Sequence, residues 1–354
     1  AAEWVWRIAA HGSVTVLCGP GNNGGDGYVI AQAIREKGGH ARVVAACEPR
    51  TDAARNAASL FGGEVLGPDA DIPGDVLVDC LFGSGLARPL SADHHTLLSR
   101  LAARHRHRVA IDVPSGVESD HGLLLDDGLP CYDLTIALGA WKFAHRLMPA
   151  CATMGALRLV EIGCANLPGA ARALGKPRLG APAADSHKYR RGLLCVIAGA
   201  MPGAALLATR AAQGAGAGYV KLLADAAPQG APADLVIDPA PLPEALEDSR
   251  IAALLVGPGL GRGGTARERL TDALARQAPC VLDADALVLL APRLLAEHRA
   301  PLIATPHEGE LAALERAFDC DGSGGKPGRA LALARATGMV IVAKGPDSVV
   351  AAPD

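Results

Sequence analysis

The chain is poor in aromatic residues: Phe, Trp and Tyr together make up 3% of its 354 residues. A core with so few rings has to be built from Ala, Val and Leu, which suits parallel α/β layers. No uninterrupted apolar run of about 18 residues occurs, so no membrane-spanning helix is expected and a membrane is not an expected partner. The nine cysteines are scattered, odd in number and without a C-x-x-C pair. That excludes a disulfide framework and a cysteine-rich zinc site, and reduced thiols in a cytoplasmic setting are expected. Charge of one sign is also lacking: 34 Lys and Arg stand against 37 Asp and Glu, a net charge of −3. Nucleic acid and anionic membrane surfaces are thereby disfavoured as main partners. No signal peptide is legible, and because the first residue is Ala1 the natural chain is expected to start earlier.

What is present is a globular composition, half hydrophobic and one fifth charged, at a length that allows two domains. Short apolar runs alternate with helical segments. In the first half the runs are 14–18, 41–46, 76–79, 108–111, 134–137 and 157–161. Most are followed closely by Gly, Pro or an acid, the βαβ rhythm of a doubly wound sheet. Residues 167–184, rich in Pro, Gly and Ala, break the rhythm and read as a linker. A second alternating series follows at 193–198, 219–223, 253–256, 279–282, 302–305 and 340–343. The expected organisation is therefore a domain at 1–166, a linker at 167–184 and a domain at 185–354.

Three strand ends of the first half carry chemistry. Residues 14–27, VTVLCGPGNNGGDG, run from a strand through a Gly-rich loop into a helical segment at 28–37. Such a turn is an anion site, because free backbone N–H groups and the helix dipole face one point. Gly19 to Gly24 also satisfies the dinucleotide pattern G-x-G-x-x-G. A loop that only cradles phosphate has no use for an acid, however, and Asp26 would repel one. Asn22, Asn23 and Asp26 point instead to sugar hydroxyls, a cation or a reacting centre. Asp79-Cys-Leu-Phe-Gly-Ser-Gly-Leu-Ala-Arg-Pro89 is the second motif and Asp112-Val-Pro-Ser115-Gly the third. Ligands of doubly wound sheets sit beyond the carboxyl ends of the strands, where all three motifs lie. Carboxylates, an Asn amide and a Ser hydroxyl are hard oxygen donors. They suit a monovalent or hard cation, or a carboxylate doing acid–base work on a bound hydroxyl.

The order GPGNNGGDG, VDCLFGSGLARP, IDVPSG and TIALGAWK resembles the NAD(P)H-hydrate epimerase (YjeF N-terminal) family over about residues 1–165. The resemblance implies a Rossmann-like fold and interconversion of the R and S epimers of NADHX and NADPHX, damaged hydrates of the reduced nicotinamide cofactors. It implies that Asn22, Asn23, Gly24, Gly25 and Asp26, with Gly83, Ser84, Gly85, Leu86, Ala87, Arg88, Pro89 and Asp112, contact the hydrate. Asn23, Asp79 and Ser115 would hold a potassium ion. Asp79 and Asp112 are the candidate acid–base catalysts, unranked, and Lys142 matches a Lys that often closes the family's late strand. The helix that normally precedes the first strand reads as mostly absent, and it would form part of an interface, so a homo-oligomer is expected. Glu48, an acid near the end of the second strand, would disfavour a 2′-phosphate.

In the second half, His187 and Lys188 precede a strand. Gly199-Ala-Met-Pro-Gly-Ala204 opens an Ala-rich helix, and Gly257-Pro-Gly259-Leu-Gly261 reads as a phosphate or ribose turn. Asp283, Asp285, His307 and Lys344 end further runs. Asp283 and Asp285 would bind a metal or cap a helix, and His307 either donates to a phosphate or hydroxyl at a helix start or is a plain loop histidine. These motifs resemble the ADP/ATP-dependent NAD(P)H-hydrate dehydratase (YjeF C-terminal) family over about 185–354. That resemblance implies a ribokinase-like fold and phosphorylation followed by elimination of the S-hydrate, with Mg2+ and ADP or ATP. Ala204, Gly259 and His307 would contact the hydrate. Lys344, Gly345, Pro346, Asp347 and Ser348 would bind the nucleotide. The Gly-Thr-Gly-Asp motif expected beyond residues 349–354 is not in the sequence, and a longer natural chain is expected to carry it. A ribokinase-superfamily small-molecule kinase fused to a Rossmann-like binding module is the alternative, and a non-catalytic nucleotide-binding protein another.

Overall fold

The computed structural model describes residues 1–165, 168–181, 183 and 191–354. His187 and Lys188, and the expected boundary at 184/185, lie outside these described residues. The chain divides into two compact units, Ala1–Lys176 and Pro177–Asp354.

The first unit is one seven-stranded parallel sheet. Its strands are β1 (Val14–Cys18), β2 (Ala41–Ala45), β3 (Val65–Leu66), β4 (Gly74–Cys80), β5 (His105–Ile111), β6 (Leu134–Leu138) and β7 (Ala156–Val160). They lie in the order β3-β2-β1-β4-β5-β6-β7, all parallel. This is a doubly wound sheet, as the sequence predicts, and its strand order reverses direction between β1 and β4. β1 is buried along its whole length. The period of two in a strand sends Val14, Val16 and Cys18 into one core layer and Leu17 into the other. The helices Ala2–Ala9 and Asn22–Glu36 cover the first layer, and Ala92–Arg104 the second through Leu97, Leu98 and Leu101. A short helix, Ala2–Ala9, precedes β1, and its apolar side buries Val5 and Ala9.

The second unit holds β8 (Leu193–Ile197), β9 (Tyr219–Leu223), β10 (Val236–Asp238), β11 (Ile251–Val256), β12 (Cys280–Leu282), β13 (Leu302–Ala304), β14 (Val340–Ala343) and β15 (Val349–Ala351). Their order is β10-β9-β8-β11-β12-β13-β14-β15. Seven are parallel, and β15 returns antiparallel beside β14. Leu193, Cys195 and Ile197 face one core layer, Val196 and Ala198 the other. The α/β layering of both halves is as the sequence predicts. Among the described residues no helix is long and apolar enough to cross a membrane.

Candidate functional site

The Gly-rich segment is not a loop. The helix starts at Asn22, so Asn22, Asn23, Gly24, Gly25 and Asp26 form its first turns and Gly21 is the N-cap. Gly is a poor helix former, by about 1 kcal/mol relative to Ala. Packing overrides that preference here. A Cβ on Gly24 would stand 2.0 Å from the Gly19 carbonyl oxygen, and one on Gly27 would stand 2.7 Å from Cys18 Sγ. The helix can reach the strand only because those positions lack side chains.

At the carboxyl ends of β1, β4 and β5, adjacent in the sheet, a cavity of about 1820 Å³ opens. It exceeds the ~300–1,000 Å³ of a drug-sized pocket, enough for a dinucleotide. Asn22, Asn23 and Asp26, every residue from Gly83 to Pro89, Asp112 and Lys142 line it. Gly24 and Gly25 lie behind this wall, buried in the helix. The lining includes Arg50 and not Glu48.

The two Asp candidates, alike in sequence, differ sharply in place. Asp79 is fully buried and does not line the cavity. Its Oδ1 accepts from Leu81 N–H at 3.0 Å and Ser115 Oγ–H at 2.7 Å. Its Oδ2 accepts from Ser115 N–H at 3.0 Å and from the Tyr132 hydroxyl at 2.5 Å. Burial pushes its carboxyl up, and these four donors only partly offset it. Tyr132 carries no sequence motif, and its contact with Asp79 spans 53 positions.

Asp112 faces the cavity. Its Oδ2 accepts from Ser84 N–H at 3.1 Å, and its Oδ1 pairs with the Lys142 ammonium and takes a weaker bond from Leu138 N–H at 3.4 Å. Burial works to raise its carboxyl, yet the Lys142 ammonium and the Ser84 bonds outweigh it, and Asp112 sits below its ordinary value. Asp112 also has a φ of 68°, left-handed backbone in a non-Gly residue, which costs on the order of 1–2 kcal/mol. Asp26, which also lines the cavity, is pushed up by loss of surrounding water and then by the Asp112 charge. The cavity thus holds two carboxyls shifted in opposite directions. Asn23 is the other anomaly: both its amide nitrogen and its amide oxygen are buried without a hydrogen-bond partner.

In the second unit the expected residues gather at the carboxyl edge of β8, β11, β12, β13 and β14. Gly259, at φ 69°, packs against the turn before the helix Pro202–Gly214: a Cβ there would stand 2.2 Å from Met201 O and 3.0 Å from Ala204 Cβ. Lys344 Nζ donates to Asp283 Oδ1 at 2.6 Å, joining the ends of β14 and β12. Asp285 accepts from Gly261 N–H at 2.9 Å and Arg262 Nε at 2.8 Å. Ser348 Oγ closes on Gly345 O at 2.8 Å, and Asp347 pairs with Lys326, a residue without a sequence signal. His307 is the N-cap of the helix Glu308–Ala317: its Nδ1 accepts from Gly309 and Glu310 N–H, at 3.0 and 3.3 Å. That leaves the proton on Nε2, 3.3 Å from Glu310 Oε1, in a side chain 62% exposed.

Residues 1–144 match the family of the YjeF-related protein N-terminus, and residues 194–354 match NAD(P)H-hydrate dehydratase. A bifunctional NAD(P)H-hydrate repair enzyme of Gloeobacter violaceus is 35% identical over 96% of this chain and 73% of that protein. The chain belongs to the bifunctional NAD(P)H-hydrate repair enzyme family. Repair enzymes of the same name from Salinibacter ruber (34% identical, 85% of this chain, 66% of that protein) and Synechocystis sp. (31%, 99% and 72%) also match. The chain spans about two thirds to three quarters of the length of these repair enzymes. Among solved structures, an ADP/ATP-dependent NAD(P)H-hydrate dehydratase from Bacillus subtilis, co-crystallised with ATP and Mg2+, is 28% identical. It covers 50% of this chain and 66% of its own, with a TM-score of 0.41.

Proposed function

We propose that residues 1–166 equilibrate the R and S epimers of NADHX and NADPHX, and that residues 185–354, beyond the linker 167–184, dehydrate the S epimer with ADP or ATP. The observation that carries the first half is the pair of carboxyls lining one cavity, Asp112 joined to Lys142 and Asp26 without such a cation, with their carboxyls shifted in opposite directions. Inverting a hydroxyl-bearing carbon needs one group to give a proton and another to take one. Environments that push two carboxyls apart assign these roles. Asp112, kept ionised by Lys142, is the base; Asp26, which holds its proton more tightly, is the acid. Of the turn 83–89, which lines the cavity, the N–H groups not bound within the chain and the side chain of Arg88 would receive phosphate.

Asp79 acts as a support rather than as a catalyst in this reading. A potassium ion would be held by Asn23, Asp79 and Ser115, a reading supported by the Asn23 amide oxygen, which is buried and otherwise unpartnered. The ion would supply a positive charge that relieves the burial of the Asp79 carboxylate. Asn23→Ala is expected to abolish any rise in epimer exchange on replacing tetramethylammonium chloride by potassium chloride. An equal rise in wild type and variant, followed by chiral separation of the epimers, would count against this cation site.

In the second half, Lys344 to Ser348 would bind the nucleotide, with Ala204, Gly259 and His307 at the hydrate. His307 donates through Nε2, because Nδ1 is taken up by its capping bonds. Magnesium would arrive with the nucleotide phosphates; Asp283 and Asp285 already serve Lys344, Gly261 and Arg262. The whole reading is tested by offering the full-length natural protein mixed R- and S-NADHX with ADP and Mg2+ and following NADH absorbance. Complete recovery of NADH supports both halves. Recovery that stops when the S epimer is exhausted removes the epimerase assignment, and no recovery removes the dehydratase assignment.

A further inference from the structure

Asp112 holds its cavity-facing pose in backbone that a non-Gly residue rarely adopts, so something must fix it. Its own N–H is bound to Ile136 O at 2.8 Å. Its carbonyl oxygen accepts from His145 Nε2 at 2.6 Å. His145 ends a short 3₁₀ turn, Phe143–His145, that follows β6. It is 1% exposed and lies edge-on to Trp141, ring centroids 5.4 Å apart. Its Nδ1 accepts the backbone N–H of Lys142 at 2.9 Å. With Nδ1 accepting, the ring proton sits on Nε2 and points at Asp112. Burial keeps the ring neutral by pushing its pKa down. One buried imidazole therefore ties the backbone of Asp112 to the backbone of Lys142, the two residues whose side chains form the ion pair in the cavity. Nε2 is taken up by the Asp112 carbonyl and Nδ1 by the main chain of Lys142, whose carbonyl oxygen also lies 3.2 Å away, so neither ring nitrogen is left for substrate.

We propose that His145 is a positioning residue for epimerisation: it holds the Asp112 carboxylate and the Lys142 ammonium in register through their main chains, without touching substrate. The inference rests on the reading of Asp112 as the base. Without His145 the Asp112 backbone is free to leave the left-handed region, which swings the carboxylate away from Ser84 and Lys142. Misplacement of a catalytic group by about 1 Å is worth on the order of 100-fold in rate.

The test compares His145→Phe and His145→Gln in the full chain, with R-NADHX as substrate and chiral separation of the epimers as readout. His145→Phe is expected to lower kcat by about 10- to 100-fold with KM within about twofold, since all the expected hydrate contacts other than Asp112 are untouched. His145→Gln, whose amide N–H can replace Nε2–H, is expected to recover kcat to within about threefold of wild type. If the Phe variant does not fold by circular dichroism, His145→Asn takes its place, being too short to reach the Asp112 carbonyl. Wild-type kcat in His145→Phe or His145→Asn would overturn the proposal, as would a loss confined to KM or a Gln variant no better than Phe or Asn. Asp112→Asn separates the two ideas. If it retains exchange, the base assignment itself fails; if it is inactive while His145→Phe turns over normally, only the positioning role falls.

Discussion

Asp112→Asn is expected to lower kcat for epimer exchange by about 100- to 10,000-fold, the usual contribution of a positioned acid or base. Asn keeps the size of the side chain and can still accept from Ser84 N–H, so the fold and KM should hold. What is lost is the capacity to take a proton. The pH profile gives an independent check. Because the Asp112 carboxyl lies below its ordinary value, the base stays ionised, and exchange should persist, through the ordinary carboxylate range and fall only below it. Lys142→Met removes the cation that holds the carboxyl down, leaving burial to push it up, so the acid limb should move to higher pH. The linkage has the matching sign. A folded-state pKa below the unfolded one contributes stability above the unfolded value, and that contribution is lost as pH falls through the folded one. An acid limb that stays in place in Lys142→Met would remove Lys142 from the account.

The sheets were legible in the sequence because buried parallel strands are continuous apolar runs, and the runs at 14–18, 134–137 and 219–223 lie within strands of the structure. β3 and β10 were not, because two- and three-residue edge strands leave no pattern; Val65 is 50% exposed and Val236 38%. The start of the helix at Asn22 was hidden for a different reason. Gly24, Gly25 and Gly27 read as loop by propensity, and only the approach of Gly19, Ala54 and Cys18 explains them. The site motifs stood out, since acids and glycines at strand ends are visible in one dimension. The difference in surroundings between Asp79 and Asp112 was not visible. It depends on Tyr132 and Ser115 enclosing one carboxylate and Lys142 meeting the other, contacts that span 30 to 53 positions. His145 gave no signal at all, because both of its partners are main-chain atoms, which any sequence supplies.

The same close packing gives the largest expected effect on stability. Gly19→Ala would put a Cβ 1.8 Å from Leu81 O, far inside any real contact, and the obstacle is backbone that cannot rotate away. Gly19 N–H is meanwhile bound to Cys80 O at 3.2 Å, so the end of β1 cannot retreat without breaking that bond. Gly24 packs on the Gly19 carbonyl, with a built Cβ at 2.0 Å, so any shift of Gly19 pushes the helix Asn22–Glu36 as well. A displacement here moves Asn23 and Asp26 on one wall of the cavity and the turn after Leu81 on the other. Gly19→Ala is therefore expected to cost more than about 4 kcal/mol, the range reserved for severe core defects, and to abolish epimer exchange. Gly21→Ala, two residues on, is the control. Nothing lies within 4 Å of its built Cβ and its φ is −96°, so it should cost no more than about 1 kcal/mol as a changed N-cap. Urea unfolding of the two variants against wild type measures the contrast. Equal stabilities would mean that the strand ends of β1 and β4 can part without loss, and the cavity would then not depend on their contact.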